Sequence, residues 1–231
     1  ISSADASLTM ARIIGNPIGS DGAKLLIEAF DSRPQLQSLC GINPGSTTVD
    51  LSNSKMGPAD CLILAHEMRT GRATSSVTTL VLDECELSGT KIKYKGESDE
   101  QLDADLSGFE ALCLALASSQ IITLSLKKCY LGPQAIALLA DATSKMASIA
   151  RISVLSNPIG VEGATALIDV YERNENLRTL LGIEEGVTEL NLAEKQVDPG
   201  QAMVLAKELQ TGRATASIAS LTLDSNGIFG V

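Results

Sequence analysis

The chain has no tryptophan, three phenylalanines, three tyrosines and one histidine among 231 residues. Aliphatic side chains must therefore build the core. A binding surface also lacks the aromatic anchors on which tight interfaces usually centre. With His66 as the sole histidine, neither a histidine–cysteine nor a serine–histidine catalytic pair has supporting spacing. Gly-rich phosphate loops, paired metal ligands and a nucleophile elbow are also missing, so no enzyme activity, cofactor or metal is expected. The adjacent carboxylates Asp83–Glu84 and Glu184–Glu185 face opposite ways on an extended backbone and read as solvated charges.

Long apolar runs are absent too, and Ile1 opens no signal-peptide pattern. Cations are in deficit: 18 Lys and Arg stand against 28 Asp and Glu, for a formal net charge of −10. A surface of that sign repels phosphate backbones and anionic lipid, which argues against nucleic-acid binding and membrane insertion. The five cysteines (Cys40, Cys61, Cys85, Cys113, Cys129) have neither disulfide-like nor zinc-like spacing. Buried free thiols predict a reducing compartment, here the cytoplasm.

What the chain does have is repetition. Leu80-Val81-Leu82-Asp83-Glu84-Cys85-Glu86-Leu87 returns as Leu124-Ser125-Leu126-Lys127-Lys128-Cys129-Tyr130-Leu131, and again from Leu221 to Ile228. A longer period is superimposed. Asn16-Pro17-Ile18-Gly19 recurs at 157–160, and Thr70-Gly71-Arg72-Ala73-Thr74 at 211–215, each 141 residues on. Residues 1–90 align without gaps on 142–231 with roughly a third of positions identical, which marks an internal duplication. First apolar positions fall at Leu8, Ser46, Val77, Ile121, Ile149, Val187 and Ile218, giving about seven units of uneven length. The shortest spacing is the basic unit, and the longer ones read as that unit with insertions, the clearest at about 89–104.

A helix is predicted in each unit. Apolar residues recur at helical spacing as Ala23, Leu26, Ile27, Phe30 and as Ala164, Leu167, Ile168, Tyr171. Cys61, Leu64, Ala65, Met68 correspond to Ala202, Leu205, Ala206, Leu209, and further stripes run through Phe109–Leu116 and Ala135–Ala142. Pro58, Pro133 and Pro199 fit first helical positions, and Gly71 and Gly212 fit left-handed caps. His66 lies off its stripe and is expected to be exposed.

Through the L-x-L-x-x-N/C-x-L units and the Asn-Pro-Ile-Gly-x-x-Gly-Ala turns, the chain resembles leucine-rich repeat proteins of the ribonuclease-inhibitor-like class. The resemblance implies an α/β fold: a right-handed solenoid, or horseshoe, with a parallel sheet on the concave face and helices on the convex face. It also implies a single repeat domain over residues 1–231 whose work is recognition of another protein, as a scaffold without catalysis. Terminal caps are not apparent, so a segment of a longer chain, or a subunit within a larger assembly, is expected.

Two surfaces are candidates for the partner. The residues between the paired leucines point away from the core. On the concave face these include Asp50, Val81, Asp83, Ser125, Lys127, Glu189, Asn191, Thr222 and Asp224. The insertion offers Lys91, Lys93, Tyr94 and Lys95, whose alternation with apolar residues suggests a hairpin-like excursion. The recurring Arg72 and Arg213 have two readings. They are cations near a helix C-terminus, or arginines that stabilise a phosphate on a partner nucleotide, as in leucine-rich GTPase activators.

Overall fold

A computed structural model describes residues 8–91 and 101–228. Among these the chain alternates helices with three-residue strands. The helices are α1 (Gly19–Asp31), α2 (Pro58–Thr70), α3 (Ser107–Ala117), α4 (Pro133–Lys145), α5 (Gly160–Arg173) and α6 (Pro199–Thr211). The strands are β1 (Thr48–Asp50), β2 (Thr79–Val81), β3 (Thr123–Ser125), β4 (Arg151–Ser153), β5 (Glu189–Asn191) and β6 (Ser220–Thr222). β1, β2, β3 and β4 pair in chain order as a parallel sheet, and β5 pairs separately with β6, also in parallel. The arrangement is a repeat-like α/β one. Each helix is neighbour to the next, and within each sheet each strand is neighbour to the next, as helical crossovers between parallel strands require.

Local chemistry sets the element boundaries. Pro58, Pro133 and Pro199 open their helices, where a missing N–H costs no internal hydrogen bond. Gly71 and Gly212 close α2 and α6 at φ 69° and 67°, a conformation that would strain a side chain carrying Cβ. The central strand residues Val49, Leu80, Leu124 and Ile152 are in register and buried in one apolar cluster with the helices. Leu82 and Leu126 extend the same row, and both are fully buried. Truncating either to Ala removes a side chain with no open edge and costs about 2–5 kcal/mol.

A side-chain ladder follows β2, β3, β4 and β6. The Cys129 thiol donates to the Leu82 carbonyl at 3.1 Å, and the Cys85 thiol to Leu51 at 3.5 Å. Asn157 donates to the Leu126 carbonyl at 2.7 Å while its Oδ1 accepts the Cys129 and Leu131 N–H groups. Asn226 repeats the contact on Leu192. All five cysteines are free and buried. Burial pushes the thiols of Cys40, Cys61 and Cys129 well up, and that of Cys113 to about 12.

The structure refines the units in three places. Each 38-residue unit is a shorter step plus a ten-residue excursion. Met10 and Arg12 bridge to Ser38 and Cys40, and Arg151 and Ser153 bridge to Thr179 and Leu181, before the chain turns back into β1 or β5. Secondly, the buried stripe of α6 runs through Gln201, Val204, Leu205 and Glu208, and Leu209 is exposed. The α6 spacing is the expected one, begun one residue earlier. In α2 the expected Cys61, Leu64 and Ala65 are buried with Met68 packed partly against them, and Asp60, Ile63 and Glu67 are buried as well. Lastly, His66 is half-buried between α1 and α2, 2.7 Å from Asp31 and edge-on to Phe30, so its expected exposure is corrected.

Glu67 and Glu208 are buried for one reason. The Glu208 carboxylate accepts the N–H groups of Leu180 and Leu181 and the Thr179 hydroxyl, where the next strand would otherwise pair. Glu67 does the same for Leu39, Cys40 and Ser38. A side chain thus satisfies backbone donors that the sheet leaves behind at each ten-residue excursion.

Candidate interaction face

The face of the sheet opposite the helices is set by strand alternation. With Val49, Leu80, Leu124 and Ile152 turned inward, the flanking residues face outward. The structure brings four of the nominated residues together. Val81, Asp83, Ser125 and Lys127 line one depression of about 210 Å³, joined by Arg151, Ser153 and Glu184. Asp83 Oδ1 accepts the Lys127 N–H at 2.8 Å, tying β2 to β3 across the floor. Arg151 Nη2 donates to the Ile183 carbonyl at 3.0 Å, which fixes the guanidinium beside the 182–184 turn.

Ser125 sits at the bottom, 8% exposed, and its hydroxyl has no hydrogen-bond partner among the described residues. Its neighbour Ser153 instead donates to the Leu181 carbonyl at 3.2 Å. Gly182 crosses close above Ser153, where a Cβ would lie 2.7 Å from the serine Cβ; its φ of 72° also favours glycine.

The other nominated residues lie apart. Asp50 is exposed on β1, and the Ser52 hydroxyl and N–H hold its carboxyl below the usual carboxylate range. Glu189, Asn191, Thr222 and Asp224 belong to the β5–β6 pair, which is not hydrogen-bonded to the four-stranded sheet. Asn191 uses its Oδ1 to hold the Ala193 N–H at 2.9 Å. In the insertion, Lys91 pairs with Gln101 in both directions, at 2.9 and 3.1 Å, as a hairpin base would. Lys93, Tyr94 and Lys95 lie outside the described residues.

Sequence reasoning missed Arg151, Glu184 and Asp103. Arg151 was legible in principle: it stands two residues before Ser153 on the same alternation. Glu184 was hidden because it sits in the excursion rather than a strand. Asp103, near the end of the insertion, accepts the N–H groups of Gly132, Gln134 and Ala135 and caps α4.

Arg72 and Arg213 are built into the packing. The Arg72 guanidinium lies 4.0 Å over the Phe30 ring and donates to the carbonyls of Phe30, Arg33 and Leu36. Arg213 lies 4.2 Å over Tyr171 and donates to Tyr171, Asn174 and Leu177. Each cation therefore serves the C-terminus of the neighbouring helix, α1 or α5, rather than its own.

A second cavity, about 190 Å³, lies on the helix side between Ile42, Leu64, Met68, Val77 and Ile121. It is smaller than the roughly 300–1,000 Å³ typical of ligand sites. Among the described residues there is no cluster of three or more potential metal ligands, and no helix is long and apolar enough to cross a membrane. No protein-family model and no curated protein matches the chain.

Proposed function

We propose that the chain is a leucine-rich repeat array of the ribonuclease-inhibitor-like class, a right-handed solenoid whose concave sheet face recognises another protein and which performs no catalysis itself. The observation that carries this reading is the depression shared by β2, β3, β4 and the 182–184 turn. Adjacent parallel strands there present Val81, Asp83, Ser125 and Lys127 side by side. Such a surface is assembled by repetition, not by one loop, and suits extended contact with a protein chain. Its polar, aromatic-poor character supports modest affinity rather than a tight lock.

Affinity capture from the native source tests the proposal. The expected result is a partner retained by the wild-type chain and lost by a Val81→Glu/Lys127→Glu double variant whose melting is unchanged. Equal retention by both proteins would overturn it.

A further inference from the structure

We propose that the depression around Ser125 is a subsite for a carboxylate: an aspartate or glutamate side chain of a protein partner, flanked on the partner by cationic residues. The inference rests on the reading of this face as a protein-recognition surface and names what it reads.

The first observation is the serine itself. Ser125 is 8% exposed, yet its hydroxyl has no partner among the described residues. A buried hydroxyl without a partner carries a desolvation penalty that an incoming acceptor removes. The second is the charge around it. The chain carries a net −10, yet this one depression sets Lys127 and Arg151 against its two acids, Asp83 and Glu184. Asp83, the carboxylate between the strands, already has one oxygen engaged by the Lys127 N–H. Among the described residues, the Lys127 N–H donates to Asp83 and its carbonyl accepts the Glu84 N–H, while its ammonium makes no hydrogen bond. Its ammonium is left to an outside acceptor.

A hydroxyl donor, an ammonium and a guanidinium around about 210 Å³ offer room and donors for the end of one acidic side chain. The flanks fix the rest of the partner. Asp83 and Glu184 stand beside the two bases in the lining itself, and Asp50 is exposed on neighbouring β1. Acids set beside the two bases complement a carboxylate with cations next to it, and repel polyanions such as nucleic acid.

Peptide arrays of the form Lys-X-Glu-X-Lys, with Lys-X-Gln-X-Lys and Glu-X-Lys-X-Glu as comparators, test this directly against the purified chain. The Glu series should bind about 10-fold tighter than the Gln series, an advantage that Arg151→Gln removes and that Lys127→Met removes without shifting the melting temperature. Ser125→Ala should weaken the Glu series while leaving the Gln series unchanged. Equal binding of the Glu and Gln series, or indifference to all three substitutions, would overturn the carboxylate subsite and leave the recognition face intact. Binding of no array would also overturn it, and the recognition face would then stand or fall on partner capture alone.

Discussion

The two duplicated stretches, 1–90 and 142–231, have kept one device and solved another differently. In both, a buried glutamate on the second helix fills the gap left by the ten-residue excursion: Glu67 beneath Ser38 and Cys40, and Glu208 beneath Thr179 and Leu181. The cap of that same helix has moved by three residues. Asp60 reaches back from inside α2 to the N–H groups of Gly57 and Gly15, at 3.0 and 3.3 Å. In the second stretch Asp198 sits before α6 and holds Gln201 and Gly160. Gln201, which aligns with Asp60, instead donates to the Val154 and Asn157 carbonyls. The stacking contact must be made, but the residue that makes it is negotiable. The gap-filling carboxylate is not, because only a long acceptor reaches two stranded N–H groups and a hydroxyl at once.

The largest effect should come from the shared device. Glu67→Ala or Glu208→Ala strands two backbone donors and a hydroxyl in the interior, and should cost about 3–5 kcal/mol in chemical denaturation. Equal losses would confirm that the device works alike in both halves; a loss in one alone would break the comparison. Next, Leu80→Ala should cost about 2–5 kcal/mol, measured the same way.

The carboxylate also predicts a pH dependence. Burial raises the Glu208 pKa from its ordinary 4.5 to about 7, against the pull of the Leu180 and Leu181 N–H groups and the Thr179 hydroxyl. The folded state therefore holds the proton more tightly than the unfolded chain. The stabilisation is complete below pH 4.5 and lost as pH rises through about 7. Relative to Glu208→Gln, the wild-type chain should lose about 3 kcal/mol between pH 4.5 and 8, read from paired denaturation curves. A smaller effect is expected from Arg72→Ala and Arg213→Ala, about 1–2 kcal/mol each, because each removes hydrogen bonds to helix-end carbonyls and a ring contact. Lys127→Met, by contrast, should shift stability by under about 0.5 kcal/mol, because its ammonium makes no hydrogen bond among the described residues.

Much of the frame was legible because apolar periodicity reports burial directly. The leucine pairs, the cysteine and asparagine ladder, the proline starts and the glycine caps all fell where spacing placed them. Glu67 and Glu208 escaped because a carboxylate on an amphipathic helix ordinarily belongs to its wet side. The available signal was their recurrence at the same position in both duplicated stretches, alongside Leu64-Ala65 and Leu205-Ala206. The extended segments at 38–40 and 179–181 escaped for a related reason: they pair on one side only, so they lack the full strand pattern. On the open face, alternation identified which residues look outward, but not which of them meet. Val81 and Lys127 meet through strand register, and Arg151 joins them only because the 182–184 turn holds it there.

Site-specific photo-crosslinking of the captured complex tests the central claim most directly, with the photoreactive group placed at Val81 or Lys127 on the open face, or at Leu25 or Lys145 on the helices. Adducts to one partner from the first two positions and none from the last two are predicted. Adducts from the helices with none from the sheet would contradict the account.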